Sequence, residues 1–365
     1  MTETLKHALH GHASAATFVA PDLDAIRAAG DRTLRRRRAG LAGGGLVAAG
    51  VVLATALAVA GDPAADDRVV AADPGAIGST VDVSWVEGST LHRASGDDVA
   101  LEQPAVAYVR TTEGYVYADA TGVVHSLTGT GPAGVVEVGR TDPEAIRIVA
   151  DPEGTLAAWL DADSGEVVVV DQTDDVARTV EVGGDTVPLS GDAELTALDG
   201  ATAYLGSGDE ARRFDLTTGE VTPVAADGSR VVAAAGDVVV LGDDRGMRLL
   251  GPEGSTTTLR EDYGDVGTLS PDGAWFSSDA DEPQVVGTDS GERLTFDVPA
   301  FFATGYEWLD DTTLAMISQE AEGAPVELLT CAVPSGTCEA AAELGSFEDL
   351  SESGFVLPSG LPLDD

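Results

Sequence analysis

Ser270-Pro271-Asp272-Gly273-Ala274-Trp275 combines the residues of a tight turn with the start of a strand. Proline presets φ at the first turn position, aspartate bonds its own backbone two residues on, and glycine gives the chain freedom to reverse. A strand, a second turn and Asp289-Ser290-Gly291-Glu292 follow. Working outward, the same kind of turn recurs at Thr112-Glu113-Gly114, Pro152-Glu153-Gly154, Asp199-Gly200, Ala235-Gly236, Asp310-Asp311 and Glu352-Ser353-Gly354. Counted from the last residue of each, the steps are 40, 46, 36, 37, 38 and 43. A step of about 40 residues is the length of one four-stranded propeller blade, a regularity that a sandwich does not need.

Between these turns lie apolar runs of four to seven residues rich in Val, Leu and Thr, such as Glu166 to Val170, Asp237 to Leu241 and Gln284 to Gly287. Helical periodicity is nearly absent, so the segment 81–360 reads as mainly β. Seven turns predict a seven-bladed β-propeller, with six blades as the alternative. The ends support closure. Phe355-Val356-Leu357-Pro358 leaves a last blade half made, and the strands near Ser89 to His92 and Asp98 to Leu101 lack a full partner set. Joined in one sheet, they would complete a blade and remove the exposed edges.

Upstream, residues 41–60 read LAGGGLVAAGVVLATALAVA, twenty residues without a charge, entered from Arg35, Arg36, Arg37 and Arg38. At about 1.5 Å per helical residue this run reaches roughly 30 Å, enough to cross a bilayer core. The four arginines set the topology, placing the N-terminus in the cytoplasm and the propeller outside the plasma membrane. The organisation expected is a short basic cytoplasmic segment (1–40), one transmembrane helix (41–60), a flexible stalk rich in Ala, Asp, Gly and Pro (61–80) and an extracytoplasmic propeller (81–360). Ala58-Val59-Ala60 also fits a signal-peptide cleavage site, which would release the same domain. Gly40 and Gly44 have the spacing of a helix-dimerising face, but glycine is abundant throughout and this pair sits at the membrane edge.

The formal net charge of -43 is unevenly divided. Residues 1–40 carry +3, while residues 61–365 hold 13 basic and 59 acidic side chains, giving -46. Such a surface repels polyanions, which argues against nucleic acid as a partner, and keeps an exported protein soluble and monomeric. Cations, cationic peptides or basic wall components remain open as partners.

Cys331 and Cys338 flank Pro334-Ser335-Gly336. A turn there would bring two strands antiparallel with the sulfurs in bonding reach, and export favours oxidation, so a disulfide is expected. No cofactor is expected. Asp161-Ala162-Asp163-Ser164-Gly165-Glu166 and, more faintly, Asp279-Ala280-Asp281-Glu282 resemble the start of a calcium loop, but neither continues to a terminal glutamate. His7, His10 and His12 cluster without a cysteine or carboxylate at ligand spacing and read as a solvated tail. His92 and His125 are the two histidines of the outer region; either could act as a base, but no nucleophile is placed beside them. The G-x-S-x-G, H-E-x-x-H and G-x-x-x-x-G-K-[ST] motifs are absent from the sequence.

The stretch from Ser270 to Trp275 with Asp289-Ser290-Gly291-Glu292 resembles a TolB-like or WD-like propeller repeat; Asp151 to Gly154 and Asp215-Leu216-Thr217-Thr218-Gly219-Glu220 are looser copies. The whole layout is similar to membrane-anchored propeller proteins of high-GC Gram-positive bacteria. The Gly-His and Trp-Asp pairs of true WD repeats are missing. This resemblance carries turn chemistry, which specifies fold and not activity. The absent motifs and scarce histidines favour a non-catalytic extracytoplasmic binding or sensing module, whose ligand would be a protein, a peptide or a wall fragment. An exported carboxylate-dependent hydrolase acting in the propeller channel is the alternative. The resemblance also hints at transcriptional signalling through the cytoplasmic segment, where Leu23, Ile26 and Leu34 could form a small apolar stripe. That segment lacks the His and Cys zinc pattern of one anti-sigma type, and the competing reading is a plain anchor.

Overall fold

The computed structural model describes residues 82 to 362, apart from 97, 129–133, 175, 181–192, 208–209, 226–228, 244–245, 252–255, 260–265, 279–283, 297 and 299. The expected membrane segment 41–60, Arg35 to Arg38, the stalk 61–80 and the faint calcium-loop copy at Asp279 to Glu282 lie outside the described residues. No helix among those described is long and apolar enough to cross a membrane.

Seven antiparallel sheets of four strands each form the blades, and the seven-bladed propeller is the fold. In blades two to seven the chain runs in order from the inner strand outward. Their inner strands are Ala105–Arg110, Ile148–Ala150, Ala193–Asp199, Arg230–Ala235, Gly267–Leu269 and Phe302–Asp310. The recurring turn read from the sequence joins inner to second strand in each of these six blades. At Gly236 and Asp237 φ is 56° and 65°, so both central residues are left-handed, as a two-residue hairpin that follows the strand twist requires.

Each blade is buried on both faces, which is why runs such as Val167–Asp171 are apolar almost throughout instead of alternating. Odd and even residues of one strand feed two different interfaces. Tyr115 and Tyr117 pack with Val86, Leu91 and Val356 of the first blade. Val116 and Ala118 pack with Ile148, Trp159 and Val168 of the third. Seven apolar clusters result, one at each interface between neighbouring blades, and the cluster joining blade seven to blade one closes the ring.

Closure differs in detail from the expectation. The first blade takes three strands from the start of the domain, Ser84–Glu87, Thr90–Arg93 and Val99–Ala100, and a single inner strand, Phe355–Val356, from its end. Val86 pairs with Val356 and Glu87 with Phe355. Pro358 has no N–H with which to prolong the ladder, so the strand stops after two residues. The chain then turns at Ser359 and Gly360 to bridge two inner strands. Gly360 N–H donates to the Tyr108 carbonyl at 2.9 Å, and its own carbonyl accepts from Ile148 N–H at 2.9 Å. A Cβ at Gly360 would sit 1.9 Å from the Ile148 oxygen, and φ there is 73°.

The turn at Glu352-Ser353-Gly354 is also not what its sequence suggested. Phe347–Ser353 is a short helix, and Gly354 is its left-handed C-cap. Ser346 and Asp349 form a reciprocal capping box, and Leu350 is the buried contact. The turn occupies the place of a repeat because it precedes the inner strand of the first blade, not because it joins two strands.

Candidate functional site

The inner strands of blades two to seven surround a central channel with a cavity of about 790 Å³. One mouth lies at the recurring turns, the other at the starts of the inner strands. The two mouths differ in charge.

At the turn mouth the blades are tied to one another. Thr112 N–H donates to the Gly154 carbonyl at 3.0 Å, and Asp272 N–H donates to Asp311 Oδ1 at 3.1 Å. The Asp199 carboxylate accepts from the backbone N–H groups of Asp237 and Gly236. These contacts gather carboxylates from separate blades. Partial burial, together with the charges of Asp311, Asp151, Asp272 and Asp199, pushes the Glu153 carboxyl above its ordinary range. Burial and the neighbouring Asp151 and Asp237 do the same to Asp199, against the bonds it accepts. At the opposite mouth Arg147 reaches Glu194 at 2.6 Å, and Arg230 also lines the channel.

In the wall between the mouths, blade two meets blade seven across the short inner strand of blade one. Arg110 Nε donates to Glu307 Oε1 at 2.7 Å, with side-chain exposures of 17% and 10%. Its Nη2 donates to the carbonyls of Trp308 at 3.1 Å and Leu309 at 3.4 Å. Register shifts between Gly305 and Glu307 and between Trp308 and Asp310 mark bulges in the inner strand of blade seven. Tyr306 and Glu307, though consecutive, both line the channel. Among the described residues the Tyr306 hydroxyl and Glu307 Oε2 are buried with no hydrogen-bond partner. Burial raises the Glu307 carboxyl above its ordinary range, and the attraction of Arg110 offsets only part of that. Burial next to Glu307 likewise raises the Tyr306 hydroxyl.

The residues singled out in the sequence fall elsewhere. Cys331 and Cys338 are directly opposite in blade seven and joined by a disulfide, with Cα atoms 4.1 Å apart. They brace a hairpin remote from the channel lining. His92 stacks on Trp85 with its Nδ1 2.9 Å from Asp98 Oδ1. His125 stacks on Tyr117 with its Nε2 3.4 Å from Asp119 Oδ2. Both belong to the third strand from the centre of their blades. In the calcium-like segment, Asp161 Oδ1 accepts from the N–H groups of Asp163 and Ser164 and from the Ser164 hydroxyl, which closes the turn on itself. Among the described residues no group of three or more His, Cys, Asp or Glu side chains is placed to hold a metal ion. Arg110 and Glu307 lie 197 residues apart and only ring closure joins them, so no local pattern in the sequence marks them or the neighbouring Tyr306.

No family model matches the chain, and no curated protein matches it. Solved structures do. TolB from Acinetobacter baumannii is 13% identical over 73% of this chain and 64% of that one, with a TM-score of 0.41. Its structural neighbours include TolB-like β-propellers. AztD from Citrobacter koseri is 13% identical over 73% of this chain and 82% of that one, TM-score 0.47. The computationally designed Ika8 protein is 15% identical over 73% and 84%, TM-score 0.48. At these identities the likeness concerns the fold alone.

Proposed function

We propose that this chain is a non-catalytic binding or sensing module, held on the outer side of the plasma membrane by residues 41–60 and taking its ligand in the propeller channel. The observation that carries the reading is the channel itself, a preformed cavity of about 790 Å³ whose walls are hydrogen-bonded inner strands. Such a concave site, with a few polar groups converging on a rigid scaffold, suits recognition. The charge-free run after Arg35 to Arg38 supports the anchor, and a disulfide at Cys331 and Cys338 suits an oxidising compartment. The propeller acts as a monomer, its acidic surface keeping copies apart, and needs no cofactor. Residues 1–40 serve as the cytoplasmic anchor of the span.

The test is a glycosidase and esterase screen run on the full-length protein beside a binding screen of wall fragments and envelope peptides. Saturable binding without turnover is expected. Turnover abolished by substitution of one channel carboxylate would replace this reading with the hydrolase.

A further inference from the structure

We propose that an apolar groove where blades seven, one and two meet docks a partner protein, through an apolar segment of that partner flanked by lysine or arginine. This surface goes beyond the channel reading above and does not depend on what the channel takes.

The groove has a volume of about 520 Å³ and lies at the end of the propeller where the inner strands start. It is lined by Phe302 and Thr304 of blade seven, by Ala105 and Val106 of blade two, and by Phe347 and Leu350 of the short helix. None of its lining residues is charged, in a chain of which 23% is charged. Large apolar side chains stand out beside it. Phe301 is 67% exposed, Phe302 41% and Phe347 40%. The rings of Phe302 and Phe347 meet edge-on with centroids 5.9 Å apart, so two separate segments build one aromatic patch. Single exposed apolar residues are ordinary, whereas a cluster of them next to an uncharged cleft marks an interaction surface, and aromatic side chains are the usual anchors of one.

Charge decides what the surface takes. From Leu294 to Asp365 the sequence holds fourteen aspartates and glutamates and no lysine, arginine or histidine. That stretch includes all of blade seven, the helix and the closing strand. Phe301 N–H donates to the Glu320 carbonyl at 3.2 Å, which brings the exposed Glu320 to the rim, and Glu348 and Glu352 are exposed on the helix. A field of one sign around an apolar centre favours a partner of the opposite sign and opposes the others. A second copy of this chain brings the same carboxylates, an anionic bilayer brings phosphates, and Leu363-Asp364-Asp365, which follow Pro362, bring two more carboxylates. An apolar anchor between basic residues satisfies both the groove and its rim.

The test pans peptides with a randomised core of Leu, Ile, Phe and Met, between either Lys/Arg or Asp/Glu flanks, against the full-length protein in lipid nanodiscs. Empty nanodiscs first remove peptides that bind lipid. Enrichment of the basic-flanked peptides is expected. Titrated by fluorescence anisotropy, they should bind about tenfold more weakly at roughly 0.3 M salt than at 0.02 M. The double variant Phe301→Ser, Phe347→Ser removes two aromatic anchors and should weaken binding about tenfold or more. Glu320→Lys with Glu348→Lys should slow association more than it speeds dissociation. All four positions are exposed, and a thermal melt of each variant checks that it is folded. Enrichment of acidic-flanked peptides, no enrichment at all, or binding that the phenylalanine variant leaves unchanged overturns the proposal. Three further results overturn it by naming another occupant. Pairing of loaded nanodiscs in sedimentation, lost in Phe347→Ser, gives the groove to a second copy. Capture of phosphatidylglycerol vesicles, lost in the same variant, gives it to a lipid surface. Peptide binding that appears only when residues 363–365 are deleted gives it to the chain's own end.

Discussion

Replacing Arg110 with methionine probes how the ring is held where blade one has only a two-residue inner strand. The pair it breaks is poorly exposed, 17% for Arg110 and 10% for Glu307, so solvent screens it little. Removing one partner of such a pair leaves an uncompensated buried charge and costs about 3–5 kcal/mol. For a domain of this size that lowers Tm by roughly 6–20 °C. Part of the loss is independent of pH, because Arg110 also bonds the Trp308 and Leu309 carbonyls. The remainder is not. Glu307 already sits above its ordinary range in the folded state because it is buried, and without Arg110 it rises further. A carboxyl with a raised folded pKa binds its proton more tightly in the native state, so stability falls as pH rises from about 4.3, the unfolded value, through the folded one. The difference between wild type and Arg110→Met should be full at neutral pH and shrink as pH falls toward about 4.3. Referring the variant to wild type at each pH cancels the general relief of acidic repulsion. Urea melts followed by circular dichroism from pH 4.5 to 7.5 measure it, and adding Glu307→Gln should recover most of the loss. A deficit that does not vary with pH, or one below about 1 kcal/mol at pH 7, would refute the assignment of a buried, charge-dependent clasp.

Gly360→Ala should destabilise the fold by about 2–4 kcal/mol, since the new methyl meets the Ile148 carbonyl at 1.9 Å and φ is 73°; denaturant melts give the value. Replacing both Cys331 and Cys338 with alanine opens a short loop and should cost about 2.5 kcal/mol by chain entropy. Mass spectrometry of the exported protein should find no free thiol. Protease added to intact spheroplasts should digest the propeller and spare residues 1–40. A soluble product beginning at Gly61 would establish cleavage instead of anchoring.

Six of the blades were legible because each turn between inner and second strand must reverse the chain within a few residues, and that demand selects Gly, Asp and Pro at a fixed step; the seventh turn, at Gly354, kept the step as a helix C-cap leading into the inner strand of the first blade. The disulfide was legible for a similar local reason, with Ser335 and Gly336 folding Cys331 directly opposite Cys338. The helix Phe347–Ser353 left a signal that went unused, the Ser346 and Asp349 capping box. Its single buried residue, Leu350, gave no periodicity to detect. The division of the closing blade into one strand and three turns on Pro358, whose missing N–H ends a ladder that apolar Leu357 would otherwise suggest continuing.

The channel was the least legible part. Its walls are inner strands chosen for packing between blades, so their sequences report the interblade clusters and not the cavity. Arg110 and Glu307 look like ordinary solvated charges among 63 acidic and 20 basic residues. Only closure of the ring, and bulges that no residue pattern announces, bring Arg110, Tyr306 and Glu307 to one place. The histidines, conspicuous because they are few, were used instead in stacked pairs within the blades.

Hydrogen exchange of the full-length chain in nanodiscs, with and without a ligand recovered in the binding screen, measures where binding changes the protein. New protection is predicted at Arg110 to Thr112 and at Tyr306 to Leu309, with the outer strands Val221–Ala225 and Thr337–Glu343 unchanged. Protection confined to those outer strands, with none along the channel, would contradict it.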